Sequence, residues 1–277
     1  MHTKVYEIGV FIMINGKKIG LVLSGGGAKG LAHVGAIKVL EANGIIPDII
    51  VGTSMGSTVG GLYACGMPIS KIESEFLKFK ITDLFDLNVF NITKQGLIAG
   101  KKFIKLIDKH SKNAMIEDAK IKYACVACDL KTGKPYIFDK GKLSVATRTS
   151  SSIPGIFAPL KKDDMLLVDG GVINNIPTDV AYQMGADYVI SVDCIGKAYL
   201  IKDIKSVVDI LMSSFSLTQY HMVKCKGYRS DAKIVVNNYE HDYYDAKKES
   251  FIETIQLGEA ATNKKIAKIK RDLQIAQ

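Results

Sequence analysis

A serine between two glycines is the first pattern in the sequence that could do chemistry. Gly52-Thr-Ser54-Met-Gly56 follows a short apolar segment, Ile49–Val51, and opens a helical pattern that continues to about Cys65. A sharp strand-to-helix turn leaves no room for side chains beside the serine, and it presents the hydroxyl outward. The pattern therefore predicts Ser54 as a nucleophile for acyl transfer, with Gly52 and Gly56 making the turn possible.

A glycine-rich loop precedes this serine. It consists of Gly25, Gly26, Gly27, Ala28, Lys29 and Gly30. Backbone N–H groups of such a loop, where a helix begins, can stabilise a developing oxyanion. The loop also fits G-x-G-x-x-G, but a dinucleotide site needs an acidic residue after the second strand, and Asp48 precedes that strand. A P-loop would need Ser or Thr after Lys29, where Gly30 stands.

A carboxylate followed by two glycines is the third motif. Asp169-Gly170-Gly171 comes directly after a strand pattern, Leu166–Val168, so the carboxylate lies at the carboxyl end of that strand. Sites in open parallel sheets are built at this end. Asp-Gly also favours turns, so a turn residue is the alternative interpretation of Asp169.

A serine nucleophile needs a base, and none of the five histidines has a motif around it. His2 lies near the first residue, and His33 follows the glycine loop as a packing or hydrogen-bonding residue. His110 ends a lysine-rich helical pattern, which favours a surface role at a helix end. His221 and His241 come late enough to complete a Ser–Asp–His order.

The segments that must position these motifs alternate between strand and helix patterns. The predicted strands are Ile19–Ser24, Ile49–Val51, Tyr123–Ala127, Leu166–Val168, Tyr188–Val192 and Ile234–Val236. Helical patterns cover roughly 28–43, Gly56 to Cys65 and much of 70–120. Continuous apolar strands alternating with helices predict an α/β fold with a mainly parallel central sheet covered by helices on both faces. No repeat or linker interrupts it, so we predict a single domain over 1–277.

The net charge of +9 is unevenly placed. Residues 94–142 carry a net +7, the tail 261–277 carries a net +4, and the remainder is slightly acidic. This distribution disfavours a nucleic-acid partner, which would require a broad basic surface, but allows a local surface that faces anions.

Cysteine usage and hydropathy predict a cytoplasmic protein. Ile8–Ile14 is too short to span a bilayer and lacks a cleavage site after it. The five cysteines form an odd number and are expected to be reduced thiols. Cys125 and Cys128 lie three apart in a strand pattern, on opposite faces, which favours buried thiols over a metal site.

The glycine loop, the serine turn and Asp-Gly-Gly, in this order, resemble the patatin-like phospholipase family. Longer strings add to the resemblance: Gly30–Gly35 (GLAHVG), Ser152–Pro159 (SIPGIFAP) and Asp169–Pro177 (DGGVINNIP). The match runs from about residue 18 to 195, and more loosely to Gly258–Ala261. It is most similar to short bacterial members, which implies a three-layer patatin-like architecture completed by residues 196–277.

The resemblance implies a Ser–Asp dyad without histidine, metal or cofactor. Ser54 is then the nucleophile, Asp169 the direct general base, and the loop Gly25–Gly30 the source of oxyanion N–H groups, with Gly26 and Gly27 preferred. The implied activity is hydrolysis of the carboxylic esters of phospholipids or lysophospholipids through an acyl-enzyme. Family loops commonly place Arg at position 29, so the role of Lys29 stays open. Because a carboxylate with a pKa near 4 is a weak base, we expect Asp169 to be partly desolvated.

Several alternatives remain at the level of sequence. The chain could be a general carboxylesterase or thioesterase of the same fold, a nucleotide-binding module using the glycine loop, or a non-catalytic regulatory protein.

Contact with an anionic membrane at the inner face could involve two sets of basic residues. The first set is Lys101, Lys102, Lys105 and Lys109, and the second is Lys264, Lys265, Lys268, Lys270 and Arg271. In the tail, packing of a helix through Ile266, Ile269, Leu273 and Ala276 is favoured instead. Neither the oligomeric state nor the choice between Met1 and Met13 as the start is predicted.

Overall fold

The computed structural model describes residues 15–79, 98–196, 204–238 and 247–275. Its strands are β1 (Ile19–Leu23), β2 (Ile49–Thr53), β3 (Lys122–Asp129), β4 (Lys134–Phe138), β5 (Leu160–Lys162), β6 (Met165–Asp169), β7 (Tyr188–Asp193) and β8 (Ala232–Val235). Its α-helices are α1 (Ala32–Ala42), α2 (Met55–Ala64), α3 (Ile69–Phe76), α4 (Lys101–Ser111), α5 (Leu143–Ser150), α6 (Thr178–Gln183), α7 (Val207–Lys226) and α8 (Lys248–Asp272). Every predicted strand is present, with each end within two residues of its predicted position.

The eight strands of the described residues form one sheet in the order β5-β6-β3-β2-β1-β7-β8, with β4 also paired to β3. The five strands from β3 to β8 in this order run parallel, whereas β4, β5 and β6 pair antiparallel. The prediction of a mainly parallel sheet is confirmed. The expectation that Leu166–Val168 belongs to its parallel part is wrong, because β5 and β6 form a hairpin and β6 returns against β3.

Two strands share one edge of β3. Cys125 and Val126 pair with both β2 and β4, so β2 and β4 lie on opposite edges of β3. Ala127 and Asp129 pair with both β4 and β6, so β6 lies on the same edge as β2. The carboxyl ends of β2 and β6 therefore point toward each other where β3 passes from Val126 to Ala127.

Helices cover both faces of the sheet, as the sequence predicts. Leu21 and Ile50 point to one face and join a buried cluster with residues of α1, α2 and α8. Val22 and Val51 point to the other face and pack with α6 residues such as Val180. This alternation within β1 and β2 buries each strand on both sides and yields a three-layer arrangement.

Helices α1 and α8 cross at very short range. A Cβ at Gly35 would overlap the carbonyl oxygen of Ile255, and a Cβ at Gly258 would overlap that of Ala32. Two glycines thus allow the backbones of the two helices to touch.

The basic tail packs on the domain, as favoured from its spacing. Ile269 and Leu273 are fully buried, and Ile266 packs against the same cluster while partly exposed. The Nζ of Lys268 donates to the carbonyl oxygen of Asp231 at 2.9 Å and pairs with Asp272. Ala276, like His2, Ile8–Ile14, Met13 and His241, lies outside the described residues.

Candidate active site

Ser54 occupies a strained turn between β2 and α2. Its φ of 53° and ψ of −122° are rare for a residue with a side chain, so the surrounding structure must hold it there. A Cβ at Gly56 would overlap the carbonyl oxygen of Leu23, and one at Gly52 would lie 2.5 Å from the carbonyl oxygen of Gly56. The turn needs both glycines, which is the geometry predicted from the sequence motif.

Asp169 lies at the end of β6 and is fully buried. Its Oδ1 accepts a hydrogen bond from the N–H of Gly171 at 2.7 Å. A Cβ at Gly170 would overlap the carbonyl oxygen of Val126, and one at Gly171 would overlap the side-chain Nε2 of Gln219. The contact with backbone requires glycine at position 170, whereas the contact at position 171 is with the end of a side chain. Asp169 also caps the turn that follows β6, as the turn interpretation predicts.

The Ser54 hydroxyl is close enough to Asp169 to affect its ionisation. Burial raises the pKa of Asp169 to about 7, against smaller lowering effects of the Gly171 N–H and the Ser54 hydroxyl. Asp169 Oδ2 nevertheless has no hydrogen-bond partner of standard geometry among the described residues. Hydrogen bonds of this kind are often long before substrate binds. The desolvation expected of Asp169 is present, and it is complete rather than partial.

The glycine loop runs into a 3-10 turn, Gly27–Leu31. Gly27 has a φ of 54°, in the left-handed region. A Cβ at Gly26 would lie 3.3 Å from the Cβ of Cys194, which is a tight contact. The first N–H groups of a helical turn have no carbonyl acceptor inside that turn, and here these are the N–H groups of Gly26, Gly27 and Ala28. Gly27 and Ala28 also line the cavity described below, together with Ser54. These N–H groups and that of Met55 are therefore candidate donors to an oxyanion.

Two residues of the predicted oxyanion loop do not have a free N–H group. The N–H of Gly25 donates to the carbonyl oxygen of Asn175 at 3.2 Å, and that of Lys29 donates to Gly26 at 3.1 Å. The prediction is wrong for these two because the loop uses them to fix its own shape. The Lys29 side chain is 2% exposed and does not line the cavity, which favours a structural role. Gly30 lies inside the turn, where a Cβ would be 2.6 Å from that of Met55.

The chain after Asp169 ties the three motifs together. The hydroxyl of Thr53 donates to the carbonyl oxygen of Asn174 at 2.9 Å, and Asn175 accepts from Gly25. The Asn175 side chain accepts a hydrogen bond from Gln219 on α7 at 3.2 Å, while its own Nδ2 is buried without a partner among the described residues. The Asn-Asn pair of the family string thus positions both the serine turn and the glycine loop.

Ser150 is a supporting residue that sequence analysis missed. The N–H of Ser54 donates to Ser150 Oγ at 2.9 Å, and the Ser150 hydroxyl donates to the carbonyl oxygen of Val126 at 2.7 Å. Ser150 is fully buried at the end of α5. The signal that could have found it is the hydroxyl-rich segment Thr147–Ser152, because buried hydroxyl groups usually have hydrogen-bond partners.

The described histidines do not serve Ser54. His33 is fully buried, and its Nε2 lies 2.8 Å from the carbonyl oxygen of Ser24, to which it donates. Burial lowers the pKa of His33 to about 4, so the ring is neutral and supports the glycine loop. His221 is exposed on α7, and His110 lies 3.7 Å from Glu75. The predicted packing role of His33 is confirmed.

An apolar cavity of about 520 Å³ opens beside Ser54. It follows one stripe of α2 and is walled by α3, α4, α7 and the loop before β5. The apolar residues that line it include Met55, Leu62, Ile72, Phe76, Phe103, Leu106, Ile107, Ile156, Phe157, Val208 and Met212. Cavities of this size and composition bind small apolar groups or chains.

The far end of this cavity is polar. Glu75, Lys78, Lys109 and His110 line it, and Glu75 pairs with Lys78 at 3.3 Å. Lys109 and His110 lie at the end of α4, which is close to the beginning of α5 because the N–H of Leu143 donates to the carbonyl oxygen of Ala114. Leu143 in turn packs against Gly61 near the end of α2, so the polar end of the cavity lies there. The cavity therefore extends along α2 from Ser54 toward a cluster of charged side chains.

The metal and dinucleotide sites that the sequence disfavours are also not assembled in the described residues. Cys125 and Cys128 are buried free thiols in β3, and no group of three metal-ligating residues exists within the described ranges. Asp48 Oδ2 accepts the N–H of Ile19 at 2.7 Å, so this carboxylate joins β1 to β2 and is not positioned for a ribose. None of the helices described is long and apolar enough to cross a membrane.

Solved structures with the same fold include a cytosolic phospholipase and a type III effector protein. VipD from Legionella pneumophila aligns with a TM-score of 0.60 at 16% identity, covering 91% of this chain and 67% of VipD. The type III effector protein ExoU gives 0.52 at 13% identity (94% and 54% covered). Human GIVD cytosolic phospholipase A2 gives 0.51 at 11% identity (93% and 59% covered). At these identities the likeness concerns the fold alone.

Curated relatives are more similar in sequence but far longer. The lysophospholipase NTE1 of Candida albicans is 37% identical over 187 residues, which cover 65% of this chain and 13% of the relative. Human patatin-like phospholipase domain-containing protein 6 is 35% identical over 186 residues, covering 65% and 14%. The chain thus matches about one seventh of the length of these relatives.

The region shared with the family contains all three motifs. A sequence model described as patatin-like phospholipase matches residues 21–182, which is more than half of the chain and includes the glycine loop, Ser54 and Asp169. The prediction of one domain over 1–277 stays a prediction. The extent of the match shows that the chain belongs to the patatin-like phospholipase family.

Proposed function

We propose that this chain is a serine hydrolase that cleaves the carboxylic ester of a phospholipid or lysophospholipid. One observation carries the proposal: Ser54, held in a strained turn beside the buried carboxyl of Asp169, opens into an apolar cavity. A serine next to a base supplies a nucleophile, and the cavity suits an acyl chain. The lysophospholipase name of a relative supports the substrate class.

The acylation step uses Asp169 directly. As Ser54 Oγ attacks the ester carbonyl carbon, its proton passes to Asp169 Oδ2, which has no other hydrogen-bond partner among the described residues. The negative charge that develops on the carbonyl oxygen meets the N–H groups of the glycine loop (Gly26, Gly27 and Ala28) and that of Met55. When the carbon–oxygen bond breaks, Asp169 returns the proton to the leaving alcohol, and the acyl group stays on Ser54.

Deacylation repeats the same steps with water. Asp169 takes a proton from a water molecule, the hydroxide oxygen adds to the acyl carbon, and the fatty acid leaves as Ser54 regains its proton. A pKa of about 7 suits this exchange, because the carboxyl group is then basic enough to accept a proton and acidic enough to return it near neutral pH.

The cavity volume indicates a long acyl chain. A water molecule has a share of about 30 Å³ in the liquid and a methylene is of similar size, so 520 Å³ holds on the order of fifteen methylenes. This estimate favours a lipid ester over the short esters of a general carboxylesterase.

The test is a lipid panel assayed with the wild type, Ser54→Ala and Asp169→Asn. We expect fatty acid release from phospholipid or lysophospholipid by the wild type alone, with labelling of Ser54 by a fluorophosphonate. Full activity of Ser54→Ala would refute the proposal. If the wild type instead cleaves only short esters or thioesters, the general esterase alternative is correct; nucleotide binding by Ser54→Ala without any hydrolysis would favour the binding-module alternative.

We also propose a cytoplasmic location with peripheral contact to an anionic membrane. All five cysteines are free thiols, which supports a reducing compartment. Lys105 and Lys109 are exposed on α4, whose apolar residues line the cavity. The tail is a weaker candidate because α8 packs on the domain. Binding that depends on these lysines should weaken as salt is added.

A further inference from the structure

Exposed aliphatic side chains are concentrated at the beginning of α7. Among the described residues, five of the eleven exposed large hydrophobic side chains lie within Ile204–Leu211. They are Ile204 (55% exposed), Val207 (72%), Val208 (37%), Ile210 (53%) and Leu211 (42%). The other six are scattered over the chain. Single exposed apolar residues are ordinary, but a contiguous group marks an interaction surface.

This surface, which we call the α7 patch (Ile204–Leu211), is continuous with the cavity. Val208 lines the cavity that contains Ser54, and so does Met212 one turn later. At about 100° per residue, Met212 and Val208 face the cavity side of the helix, while Leu211, Val207 and Ile210 extend the same apolar arc outward. The helix is therefore apolar over a wider arc than its packing requires.

The patch is held in a defined conformation. Ser206 accepts a hydrogen bond from the N–H of Asp209, and the Asp209 carboxylate accepts from the N–H of Ser206, so a capping box fixes where α7 begins. Leu211 packs against the loop at Gly155, whose neighbours Ile153 and Ile156 line the cavity. The exposed residues thus belong to an ordered rim of the cavity mouth.

We propose that the α7 patch inserts into the surface of the lipid aggregate that supplies the substrate, and this rests on the proposed function. A lipid that moves from its aggregate into the cavity must pass through the cavity mouth. An aliphatic rim that contacts the acyl layer of the aggregate keeps the acyl chain of this lipid out of water during the transfer. The positive charge beside the cavity agrees with an anionic lipid surface, since α4, which forms another wall of the same cavity, carries exposed lysines. A lipid surface is therefore favoured over a second protein chain as the occupant.

The test is vesicle sedimentation with Val207→Asp/Ile210→Asp, a variant at two positions that do not line the cavity. The matched control is Ile46→Asp, because Ile46 is 46% exposed and precedes β2 at the opposite end of the sheet from Ser54. The probes are phosphatidylcholine vesicles with and without phosphatidylglycerol. We expect the double variant to bind at least about tenfold more weakly in both low and high salt, since each aliphatic side chain contributes through burial. The control should bind like the wild type.

Activity separates this proposal from the proposed function. Hydrolysis of a soluble short-chain ester should be unchanged in the double variant, while hydrolysis of vesicle lipid should fall with binding. Because sedimentation needs no turnover, the binding comparison is repeated in the Ser54→Ala background. An inactive wild type that still binds vesicles through the patch would refute only the proposed function.

Three results would overturn the proposal. The first is unchanged vesicle binding by the double variant. The second is a shift from dimer to monomer in sedimentation velocity with unchanged vesicle binding, which would assign the patch to a second copy of the chain. If the two aspartates prevent folding, the milder Val207→Ser/Ile210→Ser variant is used instead, and its thermal unfolding shows that it is folded. The third refuting result is that this variant binds vesicles like the wild type.

Discussion

Ser54 and Asp169 lie at the carboxyl ends of two strands that point toward each other along one edge of β3. Strand β2 pairs with β3 up to Val126, and β6 pairs with it from Ala127 onward in the opposite direction. A hydroxyl and a carboxyl 115 residues apart in sequence are thus placed by neighbouring positions of one strand. Their separation depends on the register of β3 and little on loop conformation, so the dyad is built on rigid elements.

The dyad predicts how the reaction rate depends on pH. Asp169 accepts a proton only when ionised, and its pKa is about 7, so kcat/KM should rise with pH through about 7 and level off above it. Asp169→Asn should lower kcat/KM by about 10²- to 10⁴-fold, the range for loss of a general base. The measurement is a pH profile on a soluble ester.

A histidine titrates in the same range, so the profile needs its own control. His221→Ala and His110→Ala should keep the wild-type midpoint, because neither ring bonds to Ser54 among the described contacts. A profile abolished by His221→Ala would show that the base is a histidine and that the dyad is wrong.

Stability should change with pH at the same carboxyl group. The pKa of Asp169 is raised from about 4 in the unfolded chain to about 7 in the folded one. Between these values the folded state holds more protons, so Asp169 lowers the free energy of unfolding as pH rises from about 4 to 7. Asp169→Asn should therefore be more stable than the wild type at pH 8 by a few kcal/mol, with the difference shrinking toward pH 4. Urea unfolding over this range checks it, and a constant difference would contradict it.

His33 should give the opposite dependence. Its pKa is lowered from 6.5 to about 4, so the unfolded chain holds more protons between these values, and stability is lost as pH falls through this window. A neutral His33→Gln variant, whose amide can also donate to the Ser24 carbonyl oxygen, should lack this loss. The measurement is the difference in unfolding free energy between variant and wild type, which should move in favour of the variant as pH falls from 6.5 to 4. A difference that does not vary with pH would show that His33 is not buried in its neutral form.

Sequence reasoning located the parts of the site that depend on local geometry. Gly52 and Gly56 are readable because the sharp strand-to-helix turn at Ser54 is a recurrent motif with glycines at these positions. Gly170 and Gly171 are readable because Asp-Gly-Gly directly follows a strand pattern. Strands β1, β2 and β7 were readable because each is buried on both faces and almost wholly apolar, whereas β8 alternates buried and exposed residues and gives a weaker signal. These features can be recognised in short stretches of sequence, although the contacts that require the glycines come from distant residues.

The remaining features depend on contacts that are distant in sequence. The antiparallel direction of β6 follows from its hairpin with β5, a short half-exposed strand without an apolar signature. Ser150 supports Ser54 across 96 residues, and Gln219 reaches Asn175 across 44. Gly25 and Lys29 were counted as oxyanion donors because the loop's own hydrogen bonds form only once Asn175 and the 3-10 turn are in place.

The close packing at the serine turn predicts a sharp contrast between two glycines. A Cβ at Gly56 would overlap the carbonyl oxygen of Leu23, so Gly56→Ala must displace β1 or α2 and should destabilise the fold by about 3 kcal/mol or more. At Gly44 a Cβ would meet nothing within 4 Å, and only its φ of 71° opposes the change, at about 1 to 2 kcal/mol. Denaturant unfolding of Gly56→Ala and Gly44→Ala compares them directly. Equal losses would mean that the turn relaxes.

The course of the cavity predicts which residue limits acyl length. Leu62 lies on the stripe of α2 that lines the cavity, eight residues after Ser54, or about 12 Å along the helix at 1.5 Å per residue. Leu62→Trp should block the space beyond this point while leaving Ser54 and its donors unchanged. The ratio of kcat/KM for palmitoyl to butyryl esters should then fall by about tenfold or more, because each methylene that loses its site forfeits about 0.8 kcal/mol. The matched control is Leu257→Trp, since Leu257 is exposed on α8 and does not line the cavity. An unchanged ratio in Leu62→Trp, with the butyryl ester cleaved normally, would place the acyl chain elsewhere, and an equal loss on both esters would mean that the bulky side chain disturbs the serine turn itself.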